Sequence, residues 1–164
     1  MKIKLVESDL ELQQILELQK ANHYQNVSEE FKQTDGFVTV MHDLDLLKKM
    51  NNAAKQIIAV DNEKVVGYAL VMLREFKEQV PVLMPMFEMF KTIDYKQTCL
   101  DNQSYYVMGQ ICVAESHRGK GVFRALYEKH KEAYVSKFDL CLTEVAKSNK
   151  RSMRAHEKLS LIHI

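Results

Sequence analysis

Hydrophobic positions along the chain alternate between two periods, and the changes of period mark its elements. Residues 2–6 (KIKLV) predict a short strand. Ser8 and Glu11 then stand at the spacing of a capping box, and Leu12, Ile15, Leu16 and Gln19 recur at helical spacing to form one stripe. Residues 43–54 predict a second helix with Leu44, Leu47 and Met50 facing inward. The polar sequence between the two helices, including Asp35-Gly36, reads as a turn or loop. Residues 55–60 and 65–73 are β-rich runs joined by Asp61-Asn62-Glu63-Lys64, a hairpin connection.

Residues 76–103 lack a clear period. Pro81 and Pro85 interrupt them, while Met84, Met86, Phe87, Met89 and Phe90 predict a short helix and loop that complete a core. A substrate wall or dimer surface is the competing reading. Residues 105–113 predict a strand with Gly109 inside it, where a glycine marks a bulge or a close backbone approach. A helix over 122–137, a strand over 138–145 and a helix over 149–159 follow. The predicted order is β-α-α-β-β-β-α-β-α in a single domain, 1–164, with a parallel crossover in its last third.

Composition narrows the functional classes. At 46% hydrophobic and 27% charged residues the chain can bury a core. Lys and Arg total 23 against 22 Asp and Glu, so there is no overall field for a polyanion and no nucleic-acid partner is expected from bulk charge. No run of residues is apolar enough to predict a membrane span or a secretion signal, and the expected compartment is cytoplasmic. Cys99, Cys112 and Cys141 form no CxxC pair, and Cys112 and Cys141 fall in predicted strands as packed thiols. His23, His42, His117, His130 and His163 have no metal-ligand spacing, so no metal is expected.

The most informative stretch is 113–126, VAESHRGKGVFRAL. A strand ends, a glycine-containing turn follows and a helix begins. Unpaired N–H groups at a helix N-terminus favour an anion, glycines admit a phosphate close to the backbone, and Arg118, Lys120 and Arg124 add positive charge. An ordinary strand-to-helix turn with solvated basic residues has the same spacing. The pattern is neither a Walker A loop nor a dinucleotide fingerprint.

Arg118-Gly119-Lys120-Gly121 after a hydrophobic strand resembles the acyl-CoA-binding motif R/Q-x-x-G-x-G/A of the GNAT superfamily of N-acyltransferases. The stretch 149–159, NKRSMRAHEKL, resembles that family's following helix, and the element order agrees. The resemblance implies an α/β fold with a mixed, mostly antiparallel central sheet flanked by helices, and splayed parallel strands at the acetyl-CoA site. It implies that the backbone of Ile111, Cys112 and Val113 pairs with pantetheine. The N–H groups from Arg118 through Gly119, Lys120, Gly121 and Val122 to Phe123 would hold the pyrophosphate. Gly109 would lie near the bulge that opens the strands, and Asn149 would lie beside the pantetheine.

Three departures from the family pattern matter. Phe123 replaces the last small residue of the motif, so its side chain must point away from the phosphates. His156 stands where many members place a tyrosine that protonates the departing thiolate; it is either that acid or a packing residue, with Tyr105, Tyr106 or solvent as substitutes. The sheet end is shortened after Ser160-Leu161. Residues 161–164 would pair in an unusual register, or a second subunit would complete the sheet as a homodimer.

Glu144 and Glu115 are the candidate bases, each also readable as a solvated carboxylate. A backbone N–H on the 111–113 strand would stabilise the oxyanion. The expected function is direct transfer of an acetyl group from acetyl-CoA to a primary amine, on a small molecule or a peptide. The alternatives are a CoA-binding module without turnover and an interaction protein using the sheet edge. Glu29, Glu30, Asp35, Asp43, Asp45, Glu78, Glu88, Asp94 and Asp101 lie in the loops and helices expected to meet the acceptor, and they point weakly to a cationic one.

Overall fold

Ser8 begins the first helix, α1 (Asp9–Ala21), as the sequence predicts: its hydroxyl accepts from the Glu11 N–H, and the Glu11 carboxylate accepts from the Ser8 N–H. The computed structural model describes residues 1–30, 37–159 and 161. The predicted Asp35-Gly36 turn lies outside the described residues. Before α1 comes β1 (Lys2–Leu5), and after it α2 (Leu44–Ala53), which starts where the Asp43 side chain accepts from the Leu46 N–H. β2 (Ile57–Asp61) and β3 (Lys64–Met72) form the expected hairpin. Asn62 and Glu63 between them both have positive φ, the geometry of a two-residue turn that matches the twist of the strands.

The segment 76–103 is more structured than its sequence pattern predicts. Two 3₁₀ turns, Arg74–Gln79 and Pro81–Leu83, lead into α3 (Met84–Phe90), followed by the small hairpin of β4 (Asp94–Tyr95) and β5 (Thr98–Cys99). Met86, Phe87 and Phe90 bury themselves against Met50, Tyr105 and Val107, so the core reading of this greasy stretch holds for them. Then come β6 (Tyr105–Val113), α4 (Val122–Tyr134), β7 (Leu140–Leu142) and α5 (Lys150–Glu157). The strand predicted over 138–145 is only three residues long.

The sheet order is β1-β2-β3-β6-β7, antiparallel throughout except for the parallel β6–β7 pair. Helices cover both faces. On one face α1 and α2 pack Leu12, Ile15 and Leu47 against Ile58, Tyr68 and Leu70. On the other, α4 packs Val122, Leu126 and Tyr134 against Ile57, Ala59 and Val71. Gly67 lets α4 approach: a Cβ there would meet Val122 Cγ1 at 3.2 Å and the Cys112 carbonyl at 3.3 Å.

Two buried histidines give the fold a pH dependence. Burial lowers His42 and His130 from 6.5 to about 4, so both are neutral in the folded chain while their unfolded counterparts protonate below about 6.5. Folding therefore excludes protons, and stability present above pH 6.5 is lost as pH falls toward 4. Each histidine contributes about 2 kcal/mol of destabilisation at about pH 5. Thermal unfolding followed by circular dichroism between neutral pH and about pH 5 should show a falling Tm, and His130→Phe should flatten part of that slope. An unchanged slope in the variant contradicts the assignment.

Candidate active site

The site begins where the sheet comes apart. β6 and β7 pair only at Tyr105 with Leu140, Tyr106 with Cys141 and Val107 with Leu142. Past that point the Thr143 hydroxyl donates to the Met108 carbonyl at 3.2 Å. On its other side β6 bulges at the expected place. Leu70 faces Gln110 and Val71 faces Met108, leaving Gly109 as the extra residue. The Ala114 N–H donates to the Val66 carbonyl on β3. Strand alternation therefore turns the peptide groups of Ile111 and Val113 toward the open side. The Arg118 Nε–H meets one of them, the Val113 carbonyl, at 3.0 Å.

A cleft of about 450 Å³ runs from this open edge to the start of α4. Gly119 and Gly121 there have φ of 73° and 79°, a conformation that favours glycine, and a Cβ on either would stand in open space. Gly121 is the N-cap of α4 and no side chain caps the helix. The first backbone bond of the helix runs from the Ala125 N–H to the Gly121 carbonyl, so the N–H groups of Val122, Phe123 and Arg124 precede the helical ladder. Arg118, Arg151, Arg154 and Lys158 line the cleft, with no carboxylate among its described lining residues. Uncapped helix donors, two left-handed glycines and four cations suit a polyphosphate.

The structure corrects one assignment within this loop. The Arg118 N–H donates to the Glu115 carbonyl at 3.2 Å, closing a 3₁₀ turn (Glu115–His117), so this expected donor is already used within the protein. Its guanidinium reaches Val113 and the Asn22 side-chain oxygen at 2.8 Å, tying the loop to the end of α1. Lys120 is exposed and lies outside the lining. Phe123 packs its ring against Tyr127 and edge-on against His156. Ile111, Cys112, Val113, Gly119, Gly121, Val122, Phe123 and Asn149 all line the cleft.

A second cleft, of about 230 Å³, continues between the splayed strands. It shares Phe37, Val38, Ile111, Asn149 and Ser152 with the first, so the two spaces meet there. His156 lies in its wall, 5% exposed. The His156 Nδ1–H donates to the Ser152 carbonyl at 2.7 Å, so Nδ1 keeps its proton and Nε2 is the ring nitrogen on which a proton can come and go. Among the described residues Glu144 is the one carboxylate of this lining.

Tyr106 is placed elsewhere: it points to the α4 side of the sheet, stacked on His130 with ring planes 7° apart, and lines neither cleft. Tyr105 is likewise buried in the core beside Phe90, and Glu115 is exposed outside both linings. Burial raises the Cys112 thiol to about 12, which fits a packed thiol better than a nucleophile. Among the described residues no group of His, Cys, Asp and Glu is placed to hold a metal ion.

The segment 37–42, whose Phe37 and Val38 border both clefts and whose Thr39 and Val40 border the second, is held at almost every residue. Asn149 Nδ2 donates to the Phe37 carbonyl while its Oδ1 caps α5 through the Ser152 N–H. Val38 exchanges backbone bonds with Asn22 and Tyr24, and His23 Nε2 meets the Thr39 carbonyl. Gln110 Nε2 donates to the Val40 carbonyl. The fully buried Gln19 donates to Gln110 Oε1 and His42 Nδ1 and accepts from the His42 N–H, and the Tyr68 hydroxyl adds a bond to Gln110.

Such a pair of clefts at a β-splay defines a class, the acyl-CoA-dependent acyltransferase fold. Residues 12–160 match the Acetyltransferase (GNAT) family. The chain belongs to that family and has its fold. Among solved structures, a variant of the BH1408 protein from Bacillus halodurans is 16% identical with a TM-score of 0.68, covering 99% of this chain and 94% of that one. The aminoglycoside N-acetyltransferase AAC(6')-Iy in complex with CoA is 16% identical at a TM-score of 0.63, covering 99% and 92%. The NatC complex bound to Gag peptide and CoA is 14% identical at 0.65, covering 100% and 87%. No curated protein sequence matches the chain. Among the described residues no helix is long and apolar enough to cross a membrane.

Arg151, Arg154 and Lys158 are the binding candidates that the sequence analysis does not single out, although their three- and four-residue spacing on one helical face is a legible signal. Replacing Arg151 and Arg154 together by alanine should weaken CoA binding about tenfold, equivalent to about 1.4 kcal/mol. Calorimetric titration at two salt concentrations checks this, and the difference should shrink at high salt.

Proposed function

We propose that this chain is an N-acetyltransferase that moves the acetyl group of acetyl-CoA onto a primary amine by direct attack in a ternary complex. The observation that carries the reading is the junction, at the open edge of β6, of a cation-lined cleft with no carboxylate among its described lining residues and a second cleft walled in part by aliphatic and thioether side chains. In this reading the α4 N-terminus and the Gly119–Gly121 turn receive the pyrophosphate, with Arg151, Arg154 and Lys158 supplying further positive charge. The peptide groups of Ile111 and Val113 align the pantetheine arm as an added strand, and one of their N–H groups serves the developing oxyanion.

Glu144 takes up the proton that the acceptor ammonium must lose before it attacks. His156, once protonated at Nε2, returns a proton to the departing sulfur. One amine N–H bond and the C–S bond break; an amide and a thiol form. Holding both reactants in adjoining clefts supplies much of the acceleration by removing the entropy of encounter.

Saturating acetyl-CoA, at about 100 times its Kd, should add roughly 2.7 kcal/mol and raise Tm by several degrees. No shift at millimolar ligand sinks the proposal. A shift without thiol release on any amine identifies a CoA-binding module instead. His156→Gln should keep the acetyl-CoA shift, lower kcat about 10²-fold and remove one limb of the pH–rate profile. An unchanged profile removes His156 from the chemistry.

A further inference from the structure

Resting on the acetyltransferase reading, we infer that the acceptor is an amine carrying a single positive charge on an apolar body, rather than a polycation. The lining of the second cleft decides this. Val40, Val82, Leu83, Met86, Val107 and Met108 supply apolar surface beside polar groups such as Thr39 and Thr143, and among the described residues Glu144 is its one carboxylate.

The carboxylates that could gather a polyamine or an amino sugar are engaged elsewhere or lie outside this lining. Asp43 caps α2, Asp101 pairs with Arg74 at 2.6 Å, and Glu88 pairs with Lys91 at 2.7 Å. Asp45, Glu78 and Asp94 are exposed outside both clefts, which Glu29 and Glu30 also do not line. Asp35 lies outside the described residues.

An ammonium pressed against an apolar wall gives up hydration without a counter-charge, whereas an apolar body in the same place releases water from both surfaces. One ammonium can be met by Glu144; among the described lining residues no further carboxylate meets a second or a third. Size agrees. The space of about 230 Å³ lies below the roughly 300–1,000 Å³ common for drug-sized ligands, so it admits a small amine or one inserted side chain. Val82 carries the apolar surface out to solvent, being 66% exposed. Two sources share this chemistry: a free arylalkylamine, and a chain N-terminus whose first side chain is apolar.

The test compares thiol release at saturating acetyl-CoA with phenethylamine, a short peptide beginning with leucine, spermidine and kanamycin. At least one of the first two should exceed both polycations about tenfold in kcat/KM, and which one leads separates the free amine from the chain terminus. The preferred acceptor should also raise Tm further in the presence of CoA, a readout independent of turnover. Val82→Glu puts a carboxylate on an exposed part of the wall. It should keep the acetyl-CoA shift and move the kcat/KM ratio at least about threefold toward spermidine.

Polycations acetylated as well as or better than the apolar amines overturn the inference, as does an unmoved ratio in Val82→Glu. Both results leave the acetyltransferase reading standing. Absence of an acetyl-CoA shift removes that reading and this inference with it.

Discussion

A parallel strand pair that stops after three residues is the constraint on which the rest of this molecule turns. Backbone N–H and C=O groups withdrawn from water need partners, and a strand that loses its neighbour inside a sheet exposes a row of them. The chain meets part of this need itself, through the Thr143 hydroxyl on Met108 and the Arg118 guanidinium on Val113. Beyond these contacts, the peptide groups of Ile111 and Val113 face the gap left by β7 and form a short edge open to another extended backbone. The bulge at Gly109 serves the same end by bending β6 away from β7 while β3 keeps its hold on the other side.

Electrostatics divides the resulting space. The whole chain is close to neutral, yet the clefts that meet at Phe37 and Asn149 differ sharply. One gathers four cations on a turn and a helix face, with a helix dipole aimed into it. The other is walled by aliphatic and thioether side chains from residues that also close the core around Phe87 and Phe90. A local field therefore arises from the placement of a few side chains on α5 and the loop before α4, without any excess of basic residues overall.

Much of this was legible in the sequence where chemistry is local. The Ser8–Glu11 box, the Asn62-Glu63 turn and the glycines before α4 are decided by nearest neighbours, and their spacing announces them. The paired clefts were less legible because they depend on distant residues. Tyr106 shows why. In an unbroken strand Tyr106, Gln110 and Cys112 would share a face; the extra residue at Gly109 reverses the alternation. Gln110 and Cys112 then face α1 and α2, while Tyr106 joins the aromatic group under α4. Glycine announced a bulge, but only the pairing with β3 shows which residues it separates. Arg118 misled for a related reason: a basic residue beside a phosphate loop can be turned inward to hold the loop's frame, and only its partners Asn22 and Val113 reveal that.

The wall of residues 37–42 has a consequence for how such a protein changes over generations. Phe37 and Val38 border both clefts and are bonded to Asn149 and to the end of α1, while Val40 is bonded to Gln110 of β6, so a change in this segment disturbs both clefts together. Val82 and Leu83 touch only the acceptor side and stand on a short turn outside the sheet. Variation confined to that turn alters the second cleft while leaving the cation-lined cleft and the open edge of β6 intact. The architecture thus separates a part that must be conserved as a unit from a part free to diversify one residue at a time.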